Sequence, residues 1–224
     1  MAIGLVGSEM CIRDRYLASQ TKTNICCHVD HGYTLDECYE GIDSGFTSVM
    51  FDGSKLTLKE NIKISKKIAS RAHKYNISIE GEIGFVGYDN GKISEGTNIE
   101  DAVTFANKSN IDAMAISVGN THLQTSKKAS IDFNKINLIE AKTKIPLVLH
   151  GSSGIPVEQR KKLARKTKVA KLNIGTEIRM TFGEALRKNL KNNPKTYDRL
   201  QLLKPTIKDL TKVTKKIIKQ IGPN

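Results

Sequence analysis

The chain has 224 residues, and 36 Lys and Arg against 23 Asp and Glu give it a formal charge of +13 at pH 7. Its 38% hydrophobic and 26% charged residues are ordinary globular values that exclude wholesale disorder, and no apolar run approaches the roughly 20 residues of a membrane-spanning helix. The cysteines Cys11, Cys26, Cys27 and Cys38 form no C-x-x-C pair and are too few for a disulfide scaffold, so a reduced, cytoplasmic setting is expected.

The N-terminal segment 1–15, MAIGLVGSEMCIRDR, is set apart from the fold. Its apolar run is too short and wrongly flanked for a signal peptide, and Val6–Arg15 resembles translated sequencing-adapter read-through. Residues 16–224 are then read as one domain with a basic helical C-terminus.

From there, short apolar segments rich in β-branched residues alternate with helix-compatible stretches. Asn24–Asp30, Ser48–Ser54, Ser78–Gly84, Ala113–Gly119, Pro146–Ser152 and Val169–Thr176 read as strands. Between them, Thr34–Ser44 opens with Thr34 and Glu37 as a capping box and stops before Gly45. Leu56–Tyr75 places Ile62, Ile64, Ile68 and Ala72 at near-helical spacing. Asn98–Lys108, Asp132–Lys142 and Pro156–Thr167 complete the series.

This alternation predicts parallel βαβ units, compatible with a doubly wound sheet or a (β/α)8 barrel. The polar residues decide for the barrel. Asp30, His31, Asp52, Glu82, His122, His150 and Asn173 fall at or just past the C-terminal ends of several different strands, where barrels carry their chemistry. With six strands, about six βα units are present and two are short of closure. The missing pair is expected to precede residue 16. Such an opening is expected to leave the first and last strands as exposed edges, to cost Ile25, Met50 and Ile79 part of their burial, and to favour aggregation.

His31, His122 and His150, each just after a strand, form a candidate site for one divalent metal. His28 is expected to pack inside, and His73 to lie on a helix surface. Glu80 and Glu82 point the same way along their strand, as acid/base groups, metal ligands or a salt-bridged pair. Gly151, Ser152, Ser153 and Gly154 form one small-residue turn and Asn173, Ile174, Gly175 and Thr176 another, on the last two strands, where barrels often bind phosphate. The glycine-rich stretch Phe85–Thr97 reads as a mobile lid or a long turn.

Together HVDHG, VGNTH, LVLHGSSG and NIGT resemble the class II, metal-dependent fructose-bisphosphate and tagatose-bisphosphate aldolases, from about Asn24 to Arg179. The resemblance implies a cytoplasmic, homo-oligomeric (β/α)8 enzyme of carbohydrate metabolism with zinc on His31, His122 and His150, and Asp30 as catalytic acid/base. It implies that Gly151, Ser152, Ser153, Asn173, Gly175 and Thr176 hold the dihydroxyacetone-phosphate half of the substrate. Many members carry Gly directly after the second zinc histidine, with its backbone near phosphate or a monovalent cation; here that residue is Leu123.

The residues favour metal over Schiff-base chemistry, since no lysine is central in the first five strands and Lys171 only begins the sixth. Asp30 is assigned the C4-hydroxyl proton, Glu82 a place among the metal ligands and Glu95, from the lid, the other proton. The alternatives are a related aldolase with another acceptor, or an inactive family member acting as an interaction protein. Residues 158–224 carry 19 Lys and Arg against 5 Asp and Glu, but only Phe182 and Tyr197 are interleaved as aromatics, so nucleic acid is the minority reading and a solvated basic face the main one.

Overall fold

A computed structural model describes residues 13–87 and 96–222. Its one sheet has six parallel strands in sequence order: β1 (His28–Gly32), β2 (Ser48–Phe51), β3 (Ser78–Ile83), β4 (Ala113–Ile116), β5 (Leu147–Leu149) and β6 (Val169–Leu172). The strands form a curled half-barrel, an incomplete (β/α)8 arrangement. Its ends approach closely at one rim, where Asn173 Nδ2 donates to Asp30 Oδ1 over 3.0 Å.

Helices α1 (Leu35–Asp43), α2 (Leu58–Ala72), α3 (Ile99–Lys108), α4 (Phe133–Lys142) and α5 (Val157–Lys166) cover the outer face, and α6 (Thr176–Asn192), α7 (Arg199–Leu203) and α8 (Thr206–Ile221) follow β6. Local chemistry sets several starts. Thr34 and Glu37 close the expected capping box on α1, and Thr57 and Glu60 close a second on α2. Asn98 and Asp132 cap α3 and α4 with side-chain oxygens. The basic α8 packs back on α5 and α6.

Strand parity divides the core. Val49, Phe51, Ile79, Ile83, Met114, Ile116, Leu147 and Leu149 point outward and join Ile68, Phe105, Ile136 and Leu163 from the helices in one cluster. The inward residues Met50, Ala115 and Val148 make a smaller cluster inside the curl. Two expectations are corrected here: Met50 and Ile79 are both fully buried. Ile79 belongs to the helix side, and Met50 faces inward but meets Ala115 and Val148. Ile25 is 52% exposed, as expected.

Both end strands carry an irregularity. On β1, Val29 pairs with Val49 and Gly32 with Phe51, so Asp30 and His31 together oppose Met50. On β6, Val169 pairs with Leu147 and Lys171 with Val148, which leaves Ala170 as the extra residue. Each bulge turns a polar side chain inward that strict alternation would send out. Lys171 is thus third of four in its strand and reaches the barrel interior, contrary to the expectation that it only begins the strand.

Phe105 is fully buried beneath Gly81, where an added Cβ would come within 2.8 Å of the ring. Phe105→Ala is expected to destabilise the protein by about 3–5 kcal/mol, read as a lower urea midpoint at unchanged slope.

Candidate functional site

The β1 bulge brings Asp30 and His31 to the same side of the sheet, and His31 adopts φ +63° to do so. Left-handed backbone at a residue with a Cβ is strained and persists where the surroundings enforce it. His122 sits in the turn after β4. The buried Asn120 ties that turn to the next strand, since its Nδ2 donates to His150 O over 3.0 Å and its Oδ1 accepts from Val118 N–H. His150 follows β5 directly and is fully buried. Gly151 is required by close approach: at φ +64°, a Cβ would lie 2.3 Å from Thr121 O.

The three rings converge from three strand ends, with centroids 4.6 Å apart for His31 and His150, 5.3 Å for His31 and His122, and 5.8 Å for His122 and His150. Each offers one ring nitrogen within 4.8 Å of the others. Two carboxylates set the tautomers. His31 Nδ1–H donates to Asp52 Oδ2 over 2.9 Å, and His150 Nε2–H donates to Glu80 Oε1 over 2.8 Å. The remaining nitrogens, His31 Nε2 and His150 Nδ1, then present lone pairs to each other across 3.0 Å. Facing lone pairs repel; Asn173 Nδ2–H, 3.1 Å from His150 Nδ1, meets one of them, and a cation would answer both. Carboxylate–histidine pairs are the usual support of a metal ligand. This donor set fits zinc or a similar divalent ion.

Electrostatics agree. Burial, then His31 and His150, lower the His122 pKa to about 4, so its imidazole is neutral at pH 7, the form a metal needs. Burial raises Glu80, but the hydrogen bond from His150 and the charge of Lys171, 2.7 Å away, outweigh it and bring the carboxylate to about 2. Asp52 is raised by burial, yet bonds from His31 and Ser54 hold it below its ordinary value. Glu82 has no such support. Burial, with Asp52 and Glu80 nearby, pushes it well above the usual carboxylate range, and its buried Oε2 has no hydrogen-bond partner. That oxygen lies 3.8 Å from His31 Nδ1, and His31, Asp52 and Glu82 form a second group of close ligand atoms. His28 faces inward at 3.7 Å from Glu80, but burial and Lys171 lower its pKa to about 4, so the contact is not an ion pair at pH 7.

A cavity of about 450 Å³ opens over the histidines, walled by Asp30, Gly151, Ser153, Asn173, Gly175 and Thr176 among others. Asp30 is exposed, with Asn173 Nδ2 donating to it and lying 3.1 Å from His150 Nδ1. Ser152 is placed differently from its expected role. It is fully buried, its N–H donates to Asn173 O and its hydroxyl to Leu149 O, so it joins the two turns rather than facing the cavity. His73 pairs with Asp112 at a helix end, away from the cluster. Glu95 and most of the Phe85–Thr97 stretch lie outside the described residues. Sequence reasoning gave no role to Asp52, Asn120 or Arg179, although Asp52 stood at a strand end; Arg179 also lines the cavity.

The family model for class II fructose-bisphosphate aldolase matches residues 8–224. The chain belongs to the class II fructose-bisphosphate aldolase family. A 6-phospho-5-dehydro-2-deoxy-D-gluconate aldolase from Shouchella clausii is 36% identical over 201 residues, 88% of this chain and 68% of that protein. A fructose-bisphosphate aldolase from Staphylococcus aureus is 33% identical over 202 residues, 88% of this chain and 70% of that protein. Among solved structures, a putative fructose-1,6-bisphosphate aldolase from Coccidioides immitis matches 96% of this chain and 77% of its own at TM-score 0.81 and 20% identity, a likeness of fold. Among the described residues, no helix of this aldolase-family chain is long and apolar enough to cross a membrane.

Because Glu82 holds its proton above the ordinary carboxylate range, a divalent ion bound beside it competes with that proton. Zinc affinity is expected to rise with pH through the range where Glu82 ionises. Titration calorimetry in buffers of different ionisation heat should show Glu82→Gln releasing fewer protons per zinc than the unaltered protein. Equal proton release in the two proteins contradicts this account of Glu82.

Proposed function

We propose that this protein is a zinc-dependent aldolase that cleaves and re-forms a phosphorylated ketose, with dihydroxyacetone phosphate as one product. The observation that carries the reading is the pair of lone pairs, His31 Nε2 and His150 Nδ1, held 3.0 Å apart by Asp52 and Glu80 behind them. His31, His122 and His150 would hold the ion, with Glu82 at its edge. Bound there, the ion would supply Lewis-acid polarisation of the ketone and stabilisation of the negative charge left when the carbon–carbon bond breaks.

The chain's own residues supply the rest. Asp30, oriented by Asn173, takes the proton of the hydroxyl β to the ketone as that carbon becomes an aldehyde, and returns it in condensation. The electron pair of the broken bond passes to the α-carbon, which is protonated in turn; Glu95 is our candidate for that step. The phosphate sits against Gly151, Ser153, Gly175 and Thr176, which wall the cavity beside the histidines. A monovalent cation near the phosphate belongs to the same reading. So do a homo-oligomeric assembly and action in the cytoplasm.

Fructose or tagatose 1,6-bisphosphate is the first reading of the substrate. The second is 6-phospho-5-dehydro-2-deoxygluconate, favoured by the 36% identical relative. Retro-aldol cleavage of either gives dihydroxyacetone phosphate, so the histidine and phosphate regions serve both. They differ in the aldehyde half, which carries a phosphate in one and a carboxylate in the other. The ratio of kcat/KM for the two substrates decides between them.

Lys171 sharpens the test, because it lies inside the barrel where an imine-forming lysine would stand. Its Nζ donates to Glu80 over 2.7 Å and lies 3.1 Å from His28 Nε2, which ties it to the support of His150. Borohydride added during turnover is therefore expected to leave no covalent adduct on Lys171. An adduct there rejects the metal route. Asp30→Asn is expected to keep its zinc and lose turnover by about 10²-fold or more, read by metal analysis and coupled assay.

A further inference from the structure

We infer that Arg160, outside the cavity wall, is a positioning residue that sets the phosphate turns for anion binding; the inference rests on the phosphate reading above. Arg160 projects from α5 and is fully buried, among the largest fully buried side chains of the protein. A buried guanidinium is costly unless carbonyls and carboxylates answer its charge. Here Nε donates to Ser152 O over 3.0 Å, and Nη2 donates to Ser153 O over 2.7 Å and to Glu177 Oε2 over 2.6 Å, while the buried Nη1 has no partner. Glu177 stands in the first turn of α6, just past Thr176, and Lys127 Nζ also reaches it. Its own backbone N–H donates to Ser153 Oγ over 3.1 Å. One Arg–Glu pair therefore fastens the turn after β5 to the turn after β6.

The consequence for a ligand follows from peptide geometry. In a planar trans peptide the C=O of one residue and the N–H of the next point in opposite directions. Holding Ser152 O toward Arg160 thus turns the N–H of Ser153 away from it. Ser153 is the residue of this pair that reaches the cavity wall. Because Glu177 N–H already supplies a donor to Ser153 Oγ, the hydroxyl proton is free to turn toward an acceptor in the cavity. The arrangement directs a backbone N–H and a hydroxyl at an anion, and the guanidinium adds positive charge behind them. Ser152, with its N–H and hydroxyl engaged by Asn173 and Leu149, anchors the same turn from below.

The test uses the 224-residue chain loaded with zinc and titrated with inorganic phosphate by calorimetry. Arg160→Met, of similar length and neutral, is expected to weaken phosphate binding roughly tenfold or more, the scale of charge-assisted hydrogen bonds. Zinc affinity should be unchanged, and KM for fructose 1,6-bisphosphate should rise with kcat little altered. Arg160→Lys should recover only part of the loss, because one ammonium cannot span both carbonyls and Glu177. Glu177→Gln, at a partly exposed position, should weaken phosphate in the same direction and decides the matter if Arg160→Met does not fold. Native phosphate affinity in the folded variants, or zinc and phosphate affinity falling together, overturns the positioning role. Absence of saturable phosphate binding by the unaltered chain rejects the phosphate reading and this inference with it.

Discussion

Two imidazole nitrogens face each other at 3.0 Å, each with its proton directed elsewhere; the Asn173 amide meets the His150 lone pair, and a cation would meet both. The protons are directed by Asp52 on His31 and Glu80 on His150. Glu80 in turn is kept charged, although buried, by His150 and Lys171. A chain of paired charges thus runs from β6 through β3 to β5, and it ends on a lone pair in the cavity. Glu82, two residues along the same strand, has no charged partner of that kind, and burial beside Asp52 and Glu80 raises its pKa well above the ordinary carboxylate value. The difference between two glutamates on one face of one strand comes entirely from their neighbours.

The scaffold serves this convergence through its curl and its two bulged end strands. Bulges on β1 and β6 bring Asp30, His31 and Lys171 to the inner side, where regular pairing would have divided them. Asn120 and Gly151 then draw the turns after β4 and β5 together, one by a buried amide bridging both and the other by leaving room for Thr121 O. Leu123, beside His122 in the turn after β4, adopts φ +55° at an exposed position. The outer face is ordinary by comparison, with apolar strand residues against amphipathic helices.

Much of this was legible in the sequence. Periodicity, turn residues and capping signals placed all six strands and the helices between them, because those signals act over a few residues. The three histidines were legible because each directly follows an apolar segment. What the sequence hid depends on register. Lys171 read as a strand start, since nothing local announces that Ala170 is an extra residue. Met50 and Ile79 read as equally at risk, yet they lie on opposite faces of the sheet. Ser152 read as a phosphate contact because its neighbours are small and polar, but only the fold shows that both its donors are taken. The orienting roles of Asp52 and Glu80 depend on which ring nitrogen each carboxylate meets, a matter of contacts 21 and 70 residues apart in sequence.

X-ray absorption spectroscopy of the zinc-loaded protein tests the central claim most directly, because it counts the imidazoles around the ion. The account predicts a shell with three histidine nitrogens at about 2.0–2.1 Å and oxygen completing it. In His31→Ala, His122→Ala and His150→Ala the histidine count should fall by one or the zinc should be lost. A shell with sulfur from Cys26 or Cys27, or a native histidine count that none of the three substitutions changes, contradicts it.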